Sequence, residues 1–356
     1  MSEPAQTRAE PPANGAPSPH PLPRRGGGQG EGRLHSVLNV LGVYVLVIVL
    51  FALGCLMPDK FLTQDYLLNI LRDIMLLGIV CVGVAFVTYS RHYVDLSIPG
   101  IMALSGILAV SALKYGILAS LMSGLAAGLA VGAINGLVIG YLRLNPIIWT
   151  LAMMSILSGV IRQAYGGRQV YPDEATAAGR AFLDLYHAEL LGVVPLPFAI
   201  LVLLALSGDV LMRKTAYGAR LKLTGSSYEV ARLTGVNVRR VVALAFVLSA
   251  GASAIAGILL TSFNKVGAHY IGKDYDFQAL TAVVIGGMTL AGGRGSIFGA
   301  MGGVMVIALM NRVMSLVRIG DFVIGDFQKN IILGAVFILV VGLNSFSRRK
   351  SGLDDD

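Results

Sequence analysis

Asp95 is the residue whose type and position most directly indicate chemistry, because its carboxylate stands inside a long apolar stretch. An ionisable side chain at membrane depth is costly and marks a solute path, a proton relay or a buried pairing. We predict that Asp95 caps a half-helix beginning at Leu96, with Pro99 tolerated in the first turn. A broken backbone between Tyr93 and Ser97 either lines a path or is sealed by packing. Asp95, Ser97 and Tyr93 are therefore candidate translocation-path residues, and a cap buried in packing is the equal alternative.

The other reactive residue types are too scattered to form a catalytic or metal site. The five histidines do not recur at a metal-ligand spacing, and Cys55 and Cys81 lie inside apolar runs. The glycine-rich stretch 286–295 lacks the Lys-Ser or Lys-Thr pair of a phosphate-binding loop. We therefore predict a chain that is not an enzyme and binds no metal or cofactor, so that any ATP hydrolysis belongs to a partner subunit.

The composition is that of a membrane protein. Of the 356 residues, 55% are hydrophobic and 13% are charged, and the mean hydropathy is +0.72, whereas a soluble domain has about 25% charged residues. This excludes a water-soluble globular enzyme. The net charge of +8 comes from basic residues placed between apolar stretches rather than on one basic face, so nucleic acid is not a predicted partner.

The elements that must position these residues are predicted to be membrane helices, since a span needs about 20 apolar residues. Residues 1–33 are rich in proline and glycine and are predicted to be a disordered leader, with a membrane domain over 34–346 and a tail over 347–356. The fold class is all-α and polytopic, with about ten spans, eight remaining open. The ten segments are 34–57, 67–89, 94–113, 117–142, 146–164, 190–211, 241–263, 277–292, 297–317 and 328–346.

The distribution of basic residues predicts the orientation, because Lys and Arg in short loops stay on the cytoplasmic side. The segment 212–240 and the tail are rich in them, whereas the segment 165–189 carries charges of both signs. With ten spans, both termini and the basic loop are cytoplasmic. The loop between spans six and seven carries Arg213, Lys214, Arg220, Lys222, Arg232, Arg239 and Arg240.

Glycines at every fourth position indicate close helix packing. At that spacing they lie above one another on one helix face, where a second helix can approach almost backbone to backbone. The predicted packing glycines are Gly124, Gly128, Gly132, Gly136 and Gly140 in span four, and Gly295, Gly299 and Gly303 at the start of span nine.

The basic loop is predicted to contain one short helix outside the membrane. The run from Ser226 to Glu229 has the pattern of a capping box, and Gly235 can end the helix. A short capped helix flanked by basic residues is suited to docking into another protein; a helix that only joins two spans is equally compatible with the pattern.

Four stretches resemble the membrane permeases of ribose-type sugar ABC importers, in the superfamily that also holds the branched-chain amino-acid permeases. The third and fourth are the specific ones. They are VDLSIPGIMALSG (94–106), NPIIWTLAMMSILSGVIRQAYGGRQV (145–170), YGARLKLTGSSYEVARLTGVNVRRV (217–241) and ALTAVVIGGMTLAGGRGSIFGAMGGVMVIALMNRVMSLV (279–317).

The resemblance implies a permease subunit in a bacterial inner membrane that forms the path for a monosaccharide. The implied partners are a cytoplasmic ATPase carrying ATP and magnesium, a periplasmic sugar-binding protein, and a second permease copy or paralogue. The short helix would be the coupling helix that sits in the ATPase groove. Its implied residues are Ser226, Glu229, Ala231, Arg232, Leu233 and Gly235.

The sequence departs from the family pattern around Asp95, where His92 and Tyr93 stand in place of glycines. Bulky residues there would reshape the path, so a different solute, such as a branched-chain amino acid or a nucleoside, stays an alternative. An ion-coupled secondary transporter is the alternative from another class. It would need intramembrane carboxylates, and the predicted spans carry few besides Asp95.

Overall fold

The computed structural model describes residues 28–57, 61–91, 94–319 and 322–350, and within them the chain is a bundle of α-helices. Residues 1–27 and 351–356, and with them most of the predicted leader and tail, lie outside the described residues, as does Tyr93. The helices are α1 (Gly28–Cys55), α2 (Gln64–Tyr89), α3 (Ile98–Ser111), α4 (Ile117–Leu137, continued by a π-helical turn over Val138–Leu142), α5 (Pro146–Tyr165), α6 (Ala177–Asp184), α7 (Leu196–Lys214), α8 (Ala216–Ser226), α9 (Tyr228–Leu233), α10 (Val238–Asn264), α11 (Tyr275–Ile285), α12 (Ile297–Leu316) and α13 (Asp326–Lys350).

Two antiparallel hairpins join helices. The first pairs β1 (Glu189–Leu190) with β2 (Val194–Pro195), and the second pairs β3 (Arg318–Ile319) with β4 (Phe322–Val323). The first hairpin turns through Leu191 and Gly192, both at positive φ, which is the backbone of a tight primed turn. The segment 190–211, predicted as one span, therefore begins as a hairpin and becomes helical only at Leu196.

Each of the ten predicted segments overlaps one helix, but the helices differ in length. Six of them are long and apolar enough to cross a membrane, namely α2, α4 with its π-helical turn, α5, α7, α10 and α12. Helices α3 and α11 have 14 and 11 residues, about 21 and 17 Å at 1.5 Å per residue, against a hydrocarbon core of about 30 Å. Ten crossings therefore stay a prediction, and a helical polytopic membrane protein is what the structure supports.

The helix directions are fixed by contacts at one end of the bundle, here called the α9 end because α8 and α9 lie there. Helix α2 finishes at this end, where the Gly293 amide donates to the Tyr89 carbonyl (2.9 Å) and Gly293 also packs on Ser226. Helix α4 finishes there too, with the Arg143 guanidinium 5.8 Å from the Tyr228 ring centre. Helices α10 and α12 begin there and end at the opposite end.

The first and last helices both have their outer termini at the α9 end. The Tyr44 hydroxyl of α1 donates to the carbonyl of Phe298, at the start of α12 (3.0 Å), while Leu50 packs in a cluster with Leu309, further along α12. Helix α13 begins at the opposite end, where the Asn330 amide donates to Asp274 (3.4 Å). Both ends of the described chain therefore lie on the same side as α9.

The core is formed by two three-helix sets that pack in the same way. In chain order each set is a long helix, a half-helix and a second long helix, α2–α3–α4 in one and α10–α11–α12 in the other. Each half-helix packs against the last helix of its own set and the first helix of the other set. Helix α10 packs against α2, α3 and α4, and α2 packs against α10, α11 and α12. The half-helices are completed by non-helical backbone, residues 94–97 before α3 and 286–296 after α11. Paired broken helices of this kind are typical of transporters.

Candidate translocation and coupling sites

The carboxylate of Asp95 is fully buried and held by donors on two elements. Its Oδ1 accepts hydrogen bonds from the backbone amide of Ser97 (3.1 Å) and from the Ser97 hydroxyl (2.5 Å). Its Oδ2 accepts from the hydroxyl of Ser249 on α10 (3.3 Å). The bond to Ser249 links the non-helical backbone before α3 to the middle of α10, and the two bonds to Ser97 lie within that backbone segment.

The same network continues into α4 and α5. The Asn135 amide donates to the Ser97 hydroxyl (2.8 Å), and the Trp149 indole donates to the Asn135 carbonyl oxygen (2.9 Å). The Thr150 hydroxyl of α5 accepts from the amide of Leu96 (3.1 Å) and donates to the carbonyl of Pro146, one turn earlier in α5 (2.8 Å). The broken segment is thus in contact with α4, α5 and α10. Its Leu96 amide donates to α5, and its Ser97 amide donates to Asp95 within the segment.

The predicted start of the half-helix is wrong by two residues. Ser97, not Asp95, is the N-cap residue, and α3 begins at Ile98. Asp95 instead forms a turn in which its side chain accepts from the amide two residues on, a local bond that competes with helix formation. Both Asp95 and Ser97 are fully buried. For these two residues the geometry agrees with the alternative of a cap buried in packing.

The predicted helix in the basic loop is α9, with its cap one residue later than expected. Ser227 is the N-cap, and its hydroxyl accepts from the amide of Val230 (3.4 Å), whereas Ser226 is the last residue of α8. The predicted capping box from Ser226 is therefore wrong in register. At the other end, Gly235 has φ of +79°, and the amides of Gly235 and Val236 donate to carbonyls of the last turn, which is a Schellman ending.

Helix α9 packs inward through Ala231 and the half-buried Tyr228 and presents its other residues to solvent. Ala231 is fully buried, while Val230 is 47% and Leu233 is 86% exposed. Glu229 and Arg232 are exposed as well, next to this apolar pair. A short helix that shows apolar side chains beside both charge signs can dock in a groove of another protein.

The glycines of α4 form a groove in which α10 lies. All five are buried, and a Cβ on any of them would collide with α10 or α3. At Gly132 it would meet Ala250 and the carbonyl of Phe246, and at Gly136 the backbone of Ala243. The predicted helix-on-helix contact is therefore where α4 meets α10.

The second predicted glycine face is shorter than expected. Gly299 and Gly303 of α12 lie against the backbone of Gly286 and Ala282, at the end of α11. Gly295 precedes α12 and has φ of +131°, so it belongs to the loop and packs on Met288. The prediction that Gly295 continues the helix face is wrong, because Ser296 caps the helix after it.

An ion pair near the opposite end was missed, because Asp73 and Arg312 are 239 residues apart. Arg312 donates from Nε and Nη2 to the two carboxylate oxygens of Asp73, at 2.7 and 2.8 Å. The Nε of Arg72 lies 3.8 Å from the same carboxylate, and its guanidinium is 4.3 Å from the ring centre of Phe263. The available signal was Arg312 itself, a charged residue three-quarters of the way through the predicted span 297–317.

Comparisons with known proteins agree with the predicted resemblance. The family model described as "Branched-chain amino acid transport system / permease component" matches residues 66–341. The chain is 32% identical over 323 residues to the ribose import permease protein RbsC of Bacillus subtilis, covering 90% of this chain and 95% of that protein. It is 29% identical over 335 residues to the L-arabinose ABC transporter permease protein AraH of Azospirillum brasilense, covering 94% and 95%.

A third relative is the xylose transport system permease protein XylH of Escherichia coli, 27% identical over an alignment of 392 residues that covers 93% of this chain and 97% of that protein. The relatives so named are sugar permeases, and the alignments run through nearly their whole length. Since the family model also spans most of the chain, this protein belongs to the family of branched-chain amino acid transport system permease components.

Proposed function

We propose that this chain is the membrane-spanning permease subunit of an ATP-driven importer for a monosaccharide. The observation that carries the proposal is the capped helix α9, whose exposed Val230 and Leu233 stand among basic residues at one end of a helix bundle. Family membership and the sugar permeases among the relatives support the same conclusion.

Helix α9 is proposed to be the part that docks into a cytoplasmic ATPase, which supplies the ATP and magnesium chemistry. Movement of the ATPase would reach the bundle through the backbone contact of Gly293 with Ser226 and Tyr89, because this contact joins α8 to α2 and to the loop after α11. The exposed carboxylate of Glu229 and guanidinium of Arg232 would fix the register of docking.

The α9 end is proposed to be cytoplasmic and the opposite end external. The basic residues of the predicted cytoplasmic loop lie on the end of α7, on α8 and α9, and on the start of α10, as expected for the inner side. Both ends of the described chain share that side. At the opposite end, a periplasmic sugar-binding protein would deliver the solute, in a bacterial inner membrane and beside a second permease copy or paralogue.

The test uses two leucines that are exposed at opposite ends. Leu233 is 86% and Leu191 is 94% exposed, so an aspartate at either position disturbs little packing within the chain. We expect wild-type permease, purified from its host membranes in mild detergent, to carry magnesium-dependent ATPase activity. Leu233→Asp is expected to lose most of that activity and Leu191→Asp to keep it.

Two results would contradict the ATP-driven part of the proposal. One is equal ATPase activity in both variants, which would mean that α9 is not the helix that docks into the ATPase. The other is wild-type protein without associated ATPase that still takes up solute in ATP-free vesicles under an ion gradient, which is the behaviour of a secondary transporter. Uptake of L-leucine but of none of D-ribose, D-xylose and L-arabinose would show that the imported solute is a branched-chain amino acid and not a sugar.

A further inference from the structure

A cavity of about 590 Å³ opens at the end of the bundle opposite α9. It is formed by the first half of α2, the start of α11, the end of α12 and the start of α13. Its volume lies within the range of about 300 to 1,000 Å³ that is typical of small-molecule sites. Asp95 and Ser97 are not among its lining residues, so it is separate from the buried network described above.

The charges that line this cavity are equal in number, and two of the acids are bonded to basic residues. Three aspartates, Asp73, Asp274 and Asp326, face three basic residues, Lys273, Arg312 and Lys329. Arg312 holds Asp73 through two short bonds, and the Lys329 ammonium lies 3.1 Å from Asp326. With its charges already neutralised, the cavity gives no net attraction to an anion or a cation.

The remaining polar side chains match hydroxyl groups. Gln278, Asn311 and Asn330 each carry an amide that both donates and accepts, and Ser315 carries a hydroxyl that does the same. A sugar hydroxyl also donates and accepts, so several such groups on one small molecule can be satisfied together. The apolar groups of the lining come from Leu77, Ala308, Phe327 and the ring of Tyr275. The charged, amide and serine side chains outnumber them, which favours a polar solute over the side chain of leucine or valine.

The cavity is also connected to the element that reaches α9. Gln278 lies on α11, and the backbone after α11 continues through residues 286–296 to the contact of Gly293 with Ser226 and Tyr89. A solute in the cavity would therefore touch the same half-helix whose following loop meets α8.

We propose that this cavity is a binding site for a neutral polyhydroxylated solute, a monosaccharide, at the external end of the permease. The inference rests on the proposed function, because that function places the opposite end of the bundle outside. The sugar hydroxyls are bound by Gln278, Asn311, Asn330 and Ser315. The Asp73–Arg312 pair lines one side of the site, where it can accept and donate hydrogen bonds without adding net charge.

The test is protection of an engineered thiol in right-side-out membrane vesicles that hold the full transporter. Cys55 is exposed and Cys81 is buried, so a Cys55→Ser background leaves little reactive thiol. Phe327→Cys and Lys273→Cys are two independent reporters at the cavity, since both residues line it, are exposed and are not assigned to hydroxyl binding. Gln64→Cys is the control, since Gln64 is exposed at the start of α2, at the same end but outside the cavity.

Labelling by a membrane-impermeant maleimide is timed with 100 mM D-ribose, D-xylose, L-arabinose or L-leucine. If a sugar binds with a Kd near 10 mM, we expect labelling of both cavity thiols to slow about 10-fold, by mass action. Leucine should leave the rates unchanged, and the control thiol should react equally in all cases. Import of the same four solutes by the wild-type transporter is measured in parallel.

The parallel measurement separates the two claims. Import of a sugar without protection of either cavity thiol overturns this site and leaves the proposed function standing. Import of leucine alone overturns the proposed function. Protection by leucine as strong as by any sugar, or equal protection of the control thiol, overturns the assignment of the cavity to a polyhydroxylated solute.

Discussion

At the scale of the residue, Asp95 acts as an acceptor that ties the broken segment to the bundle. Three donors reach its two oxygens, and the chain of bonds runs on through Ser97 to Asn135 and Trp149. A carboxylate that is fully used by hydroxyl and amide donors serves to satisfy buried polar groups. Its charge is then less important than its acceptor oxygens.

This leads to a prediction for two substitutions at one position. Asp95→Asn keeps Oδ1 as an acceptor for Ser97, and the Ser249 hydroxyl can turn to accept from the new amide, so we expect stability and uptake close to wild type. Asp95→Leu leaves buried donors unsatisfied, at about 1 to 3 kcal/mol each, and should lower the thermal unfolding temperature in detergent. Loss of uptake in a stable Asp95→Asn protein would show that the charge itself is needed.

The sequence indicated Asp95 through its apolar surroundings, but not its partners. Asn135, Trp149 and Ser249 lie on three different helices, and the last is 154 residues away. A single sequence carries no information on which buried hydroxyl or amide will face a given carboxylate. The same limit hid the Asp73–Arg312 pair.

At the scale of the element, glycine spacing determines how α4 meets α10. The period of four in α4 was readable because it is a property of one helix. The partner was not readable, since any helix with a smooth face would fit the groove. The starts of α3 and α9 were misplaced by two residues and one residue, because two residues near each start can cap: Asp95 and Ser97 before α3, and Ser226 and Ser227 before α9.

Two glycines test this packing as a matched pair. A Cβ at Gly132 of α4 would meet Ala250 and the carbonyl of Phe246, whereas a Cβ at Gly159 of α5 would meet nothing within 4 Å. We expect Gly132→Ala to destabilise by about 1 to 3 kcal/mol through overpacking. Gly159→Ala should be neutral or stabilising, since alanine is the better helix former by about 1 kcal/mol.

Thermal unfolding of both variants in the same detergent is the measurement. Equal unfolding temperatures for Gly132→Ala and Gly159→Ala would mean that α4 and α10 can separate without cost. The groove would then not be the contact that determines the bundle.

At the scale of the whole molecule, the two ends differ in charge and in what they expose. The α9 end carries the basic loop and the termini of α1 and α13, and the opposite end carries the first hairpin, α6 and the polar cavity. An even number of spans, with both termini on the side of the basic loop, could be predicted from Lys and Arg alone. The rule that short basic loops stay in the cytoplasm depends only on sequence. Of the two half-helices, α3 was predicted from Asp95 and Pro99, whereas α11 was not, because apolar composition does not reveal that α11 stops short of a full crossing.

The orientation is tested by thiols placed at the two ends. In a Cys55→Ser background, Leu233→Cys on α9 and Leu191→Cys in the first hairpin replace side chains that are 86% and 94% exposed. An impermeant maleimide should label Leu191→Cys in right-side-out vesicles and Leu233→Cys only in inverted vesicles, because α9 is placed in the cytoplasm by its basic surroundings. Labelling of both thiols from one side would mean an even number of crossings between them. It would contradict the topology in which α7 alone carries the chain from the hairpin to α9.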